Sequence, residues 1–116
     1  MKRSNAPIFW SLFGAGGMLS ALLGPALVFA TGIALPLGWL LPREAMSYSN
    51  VLAFARTGAG KLFLLAIVSL FLWHAAHRIF HSLHDLGIRA GRVAKLVCYG
   101  TAFAATLTGA YALLTV

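Results

Sequence analysis

Acid is what this chain has least of. Glu44 and Asp85 are its only carboxylates in 116 residues. A carboxylate-rich di-metal centre draws several Glu or Asp ligands from facing helices, so this chain cannot build one by itself. Cysteine is nearly missing too. Cys98 stands alone, which excludes an internal disulfide and a four-cysteine iron–sulfur cluster. Its place inside an apolar run suits a small helix-packing residue. Charge of either sign is scarce, at 9% of residues against 60% hydrophobic. With a mean hydropathy of +0.87, a water-soluble fold of this length could not hide its apolar surface. The class is an all-α integral membrane protein, with residues 1–116 forming a single membrane-anchor domain.

What charge there is has one sign. Nine Lys and Arg give a net charge of +7. They sit in the gaps between apolar runs, as membrane flanks do, and do not line a soluble face that could bind nucleic acid. Those runs predict three transmembrane helices, at about 8–41, 51–86 and 92–116, running up-down-up. No charge occurs between Ser4 and Pro42, nearly twice the ~20 residues that span a bilayer. A signal peptide cut after Val28-Phe29-Ala30 is disfavoured, because Thr31–Leu41 continues just as apolar. A hairpin at Gly24-Pro25 would need a polar turn, and none is present. One long helix remains, kinked at Pro25 and ended by Pro42. Ser49 or Asn50 is expected to cap the second helix and Gly87 to stop it. Rows of small residues, Gly16-Ser20-Gly24, Gly17-Ala21 and Gly100-Ala104-Thr108-Ala112, favour close helix packing. With Val116 at the membrane surface, no tail domain is expected.

The flanks set the orientation. Lys2, Arg3, Arg78, Arg89, Arg92 and Lys95 share one side; Arg43, Arg56 and Lys61 hold the other. The positive-inside rule places the N-terminus in the cytoplasm and the C-terminus outside.

The chemistry is concentrated in Trp73–Asp85. All four histidines lie there, spaced His-x2-His-x3-His-x2-His. On a helix, His74, His77, Arg78, His81, His84 and Asp85 fall within an arc of roughly 120°. Ala75, Ala76, Ile79, Leu83 and Leu86 form the opposite side. His74 falls just inside the hydrocarbon, His77 and Arg78 at the interface, and His81–Asp85 beyond it. A b-type haem would need a second axial ligand, which no other helix of this chain offers. A quinone head group needs an apolar slot, hydrogen-bond donors and an interfacial depth. Trp10, His77 and Arg78 meet that description. A docking face for a soluble partner fits the same residues, and residue types alone leave the two readings level.

A family resemblance separates them. Pro7-Ile8-Phe9-Trp10-Ser11-Leu12-Phe13-Gly14-Ala15-Gly16-Gly17-Met18 resembles the start of the fumarate reductase D-subunit, a small hydrophobic membrane anchor. So do Leu35-Pro36-Leu37-Gly38, Tyr48-Ser49-Asn50-Val51-Leu52-Ala53-Phe54-Ala55 and His77-Arg78-Ile79-Phe80-His81-Ser82-Leu83-His84-Asp85-Leu86, in order along almost the whole chain. The resemblance implies a three-helix anchor that pairs with a second three-helix anchor, the C-subunit. Together they hold the iron–sulfur and flavoprotein subunits on the cytoplasmic face of the bacterial inner membrane, with the C-terminus periplasmic. The complex passes electrons from menaquinol to fumarate in anaerobic respiration. The resemblance assigns Trp10, His77 and Arg78 to the quinone site, with Phe13 and Gly14 as its wall. His81, His84 and Asp85 are expected to dock the iron–sulfur partner. FAD and iron–sulfur clusters are expected only in partners, and no haem is expected. The chain is then a non-catalytic subunit. A haem-binding anchor of the succinate dehydrogenase type, or a purely structural anchor with the quinone held by the second anchor, are the alternatives.

Overall fold

The computed structural model describes residues 4–116. Lys2 and Arg3, two of the flanking charges, lie outside the described residues. The elements are α1 (Ala6–Phe29), a π-helical turn (Ala30–Ala34), α2 (Leu35–Leu37), α3 (Tyr48–Arg56), α4 (Gly58–Asp85) and α5 (Arg92–Thr115). Among the described residues there is no strand. Three segments are long and apolar enough to cross a membrane: Ala6–Leu37, Gly58–Asp85 and Arg92–Thr115. The predicted three-span fold is therefore present.

The first span is continuous through Pro25, so no hairpin interrupts it there. Its π turn lies just before Pro36, and the Leu35 N–H bonds back to the Ala30 carbonyl, five residues earlier. A proline ring clashes with the carbonyl four residues before it, and a widened turn relieves that clash. The helix ends at Leu37, short of the expected Leu41. Gly38 takes the left-handed conformation, at φ 64°, and stops the span before Pro42 can. The connection that follows is tied by the Asn50 side-chain amide, which donates to the Glu44 carbonyl at 2.7 Å.

The second span differs more from expectation. The single helix 51–86 is two helices, broken at Thr57, which is extended at ψ 148°. The Thr57 hydroxyl donates to the Phe54 carbonyl at 2.7 Å and accepts from the Gly60 N–H at 2.9 Å. It thereby ends α3 and caps α4, which compensates for the backbone bonds lost at the break. Ser47, rather than Ser49 or Asn50, caps α3 by accepting from the Asn50 N–H. At the other end Gly87 is left-handed, at φ 75°, as its position predicts. The 28 residues of α4 still span roughly 42 Å, longer than a ~30 Å hydrocarbon core.

Packing follows membrane rules. α4 packs against both α1 and α5. The core is built of small residues: Ala34, Ala55, Ala76 and Ala102 are buried, with Leu35 the one large side chain among them. Large apolar side chains such as Met18, Leu22, Leu96 and Leu114 point outward, where lipid or other helices take the place of water. Several hydroxyls inside the spans bond their own helix. Ser11 donates to the Pro7 carbonyl, Thr31 to Leu27, Thr101 to Val97 and Thr106 to Ala102, so these hydroxyls are not left bare to lipid.

The small-residue rows divide. Gly16 and Gly17 face α4. A Cβ on Gly16 would stand 2.6 Å from the Leu70 carbonyl oxygen, and one on Gly17 2.7 Å from His74 Cε1. Gly24 meets nothing within 4 Å. On α5 the face toward α4 carries Ala102 and Gly109, the latter near Val68. Gly100 and Thr108 are exposed outside that face.

Candidate functional site

Up-down-up threading brings the start of α1, the end of α4 and the start of α5 to one end of the bundle. There α4 forms the floor of a cleft of about 680 Å³, with α1 and α5 as its walls. α1 contributes Phe9, Trp10 and Phe13; α4 contributes Trp73 and His77; α5 contributes Lys95 and Tyr99. The lining is mostly aromatic and aliphatic, with His77, Tyr99 and Lys95 as its main polar groups. A flat apolar slot with few, converging polar atoms is the usual form of a small-molecule site.

His77 is the hub. Its ring centroid lies 4.3 Å from that of Phe13 and 6.0 Å from that of Trp10, the latter edge-on. Its Nδ1 is hydrogen-bonded to the Tyr99 hydroxyl at 2.8 Å. Tyr99 in turn stacks on Trp73, with centroids 6.1 Å apart. One helical turn along α4, the His81 ring stands 4.2 Å from that of His77.

His74 is held differently. Its ring stacks on Phe13 at 4.6 Å and 17°. Its Nδ1 donates to the Phe13 carbonyl at 3.1 Å, so the neutral ring leaves only Nε2 free. The ring edge fits against Gly17, and His74 does not line the cleft. Among the described residues no group of three or more His, Cys, Asp or Glu is placed to hold a metal ion.

Of the residues expected at the site, Trp10, Phe13 and His77 come together in the cleft. Gly14 and Arg78 are exposed and do not line it. The reason is helical geometry: Arg78 is rotated 100° from His77 about α4. His81, His84 and Asp85 lie along the last turns of α4, with His81 and His84 accessible beside Phe80.

With the geometry in place, the chain can be set beside known proteins. The family model for the D-subunit of fumarate reductase matches residues 1–114. The chain belongs to the fumarate reductase D-subunit family. It is 48% identical over 107 residues to the fumarate reductase D-subunit of Vibrio parahaemolyticus, covering 92% of this chain and 83% of the relative. It is 47% identical over 102 residues to that of Photobacterium profundum, covering 88% and 84%. A match to that of Mycobacterium bovis is 42% identical over 117 residues, covering 98% and 90%. As a member of this family with three membrane-spanning segments, the chain is a multi-pass membrane anchor of fumarate reductase.

The third helix is the part of the site that residue patterns miss. Tyr99 and Lys95 enter the cleft from α5, yet only Lys95 stands out in the sequence, as a flanking charge. A signal is available. Arg92, Lys95 and Tyr99 are spaced by three and four, which places three polar side chains on one face of an otherwise apolar helix.

Proposed function

We propose that the chain helps to form the quinol-binding site of fumarate reductase, at the end of the bundle where Trp10, Phe13, His77 and Tyr99 meet. The observation that carries this reading is the aromatic cleft with the His77–Tyr99 hydrogen bond at its wall. A quinol bound there supplies two electrons and two protons. The chain's own residues do the rest. Phe9, Phe13 and Trp73 give the flat apolar surfaces that a ring requires. His77 Nε2, with Nδ1 engaged by Tyr99, is the nitrogen left for a head-group oxygen. Lys95 adds a positive charge that favours any anionic character developing on that oxygen. Menaquinol is the expected reductant. Gly14 and Arg78 stay in the proposal in a changed role: they flank the cleft, and Arg78 reaches a head group only where a partner extends the site across the adjacent face of α4.

The wider setting is part of the same proposal. The second anchor, the C-subunit, packs beside this chain, and the row Gly100-Ala104-Thr108-Ala112 supports close approach of a further helix. The iron–sulfur and flavoprotein subunits sit on the cytoplasmic face of the inner membrane, docked on His81, His84 and Asp85. Their FAD and iron–sulfur clusters carry the electrons onward, and this chain holds no catalytic residue for fumarate. The N-terminus is cytoplasmic and the C-terminus periplasmic, in keeping with the basic residues Arg78, Arg89, Arg92 and Lys95 at the cleft end.

Trp10 provides the test. It is 64% exposed and stands edge-on to His77 at the cleft wall. Replacing it with alanine in the assembled, membrane-bound complex removes a stacking wall worth about 0.5–1.5 kcal/mol beyond its buried area. The expected result is a severalfold higher KM for quinol, with Trp10→Phe intermediate. Unchanged quinol kinetics in a complex that remains membrane-bound would refute the site.

A further inference from the structure

Tyr99 is the one polar side chain from α5 that bonds a residue of the cleft on another helix, among the described residues, and its partner is His77. A phenol hydroxyl both donates and accepts. It therefore satisfies His77 Nδ1 in either neutral tautomer, with no change beyond rotation of its own O–H. When Nδ1 accepts from Tyr99, Nε2 carries the proton and is a donor, as a quinone carbonyl requires. When Nδ1–H donates to Tyr99, Nε2 is bare and is an acceptor, as a quinol hydroxyl requires. A carboxylate or a carbonyl in the same place would accept only, and would hold the ring in one tautomer. His74 shows that contrast in the same helix: the Phe13 carbonyl accepts from its Nδ1 and fixes the proton there.

The surroundings favour this two-way arrangement. From α1, Phe13 and Trp10 face His77, and neither takes up or releases a proton. The ionisable groups near it are His74, Arg78 and His81 of its own helix, and Tyr99 and Lys95 of α5. Of these, Tyr99 alone is hydrogen-bonded to the ring. Tyr99 is itself fixed by packing, on Trp73 at 6.1 Å and against Phe80 at 5.8 Å. Its hydroxyl is therefore presented to His77 by rigid neighbours.

We infer that Tyr99 is a positioning residue that lets His77 serve both the oxidised and the reduced form of a head group in the cleft. The inference rests on the quinol-site reading above. The test is a double-mutant cycle of Tyr99→Phe and His77→Ala in the assembled complex. Both directions are measured: fumarate reduction by quinol and quinone reduction by succinate. Rates are normalised to fumarate reduction by a reduced water-soluble dye in the same membranes. Phenylalanine keeps the ring packing and removes only the hydroxyl. Tyr99→Phe is expected to raise KM roughly tenfold for quinol in one direction and for quinone in the other, the scale of one lost hydrogen bond to a half-buried group. In the His77→Ala background the same change is expected to cost less than about twofold, because its partner is already gone. A merely structural tyrosine would give equal losses in both backgrounds, and that result overturns the inference. Loss in one direction only overturns it as well, since Tyr99 would then serve a single tautomer. If His77→Ala itself leaves both rates intact, the quinol-site reading has failed, and the inference with it.

Discussion

Replacing His77 with alanine is expected to lower quinol-driven fumarate reduction by about ten- to a hundredfold in the assembled complex, the scale of two lost hydrogen-bonding partners. The size follows from what the side chain does. In the proposed site its Nε2 meets the head group, while its ring packs on Phe13 and its Nδ1 is bonded to the Tyr99 hydroxyl. In the proposed site alanine removes the bond to the head group and leaves Tyr99 without a partner, each costing about 1 kcal/mol. Two such losses amount to roughly one or two factors of ten. Glutamine at 77 is the informative companion. Its amide offers both a donor and an acceptor near the position of Nε2, so His77→Gln retains more activity than His77→Ala. Equal losses for both variants would point to packing as the role of His77.

The second large effect is structural. Gly16→Ala is expected to lower the thermal stability of the detergent-solubilised complex by about 1–3 kcal/mol, the ordinary cost of overpacking, and Gly16→Leu to prevent recovery of the intact complex. The added Cβ meets the Leu70 carbonyl oxygen at 2.6 Å and His74 Cβ at 3.0 Å. A backbone carbonyl cannot rotate aside as a side chain can, so α1 and α4 must separate. In lipid no hydrophobic force restores the contact, because helix association depends on close packing itself. Gly24→Ala, with nothing within 4 Å of its Cβ, serves as the control and keeps its stability. Parallel losses at both positions would mean that the tight contact at Gly16 is not what joins the two helices. The cleft depends on this joint, because Trp10 and Phe13 are carried by α1 just ahead of Gly16.

Legibility in the sequence differs from residue to residue. The three spans were legible because long uncharged runs have one solution in a bilayer. Gly87 was legible because a left-handed stop needs glycine just past the last apolar turn. The break at Thr57 was not. Thr-Gly-x-Gly lies at the edge of an apolar stretch where threonine ordinarily bonds back to its own helix, and only the tertiary path shows that Thr57 caps as well. The end at Gly38 was hidden behind the stronger signal of Pro42. At the site, Trp10, Phe13 and His77 came from a family motif and from matching depth, and the cleft contains all three. Arg78 came from the same motif, but adjacency in sequence turns it 100° away from His77. For Tyr99 the spacing of Arg92, Lys95 and Tyr99 marks a polar face of α5, but the residue it bonds lies 22 positions away in the chain. No local pattern encodes such a distance.

The most direct measurement is cross-linking with a photoreactive quinone in membranes that contain the assembled complex, followed by mapping of the labelled peptides. Labelling of this chain is expected within Phe9–Phe13, Trp73–His77 or Lys95–Tyr99, suppressed by excess natural quinone. Labelling confined to a partner, with these three segments unmodified, would contradict the proposed site and leave the chain a purely structural anchor.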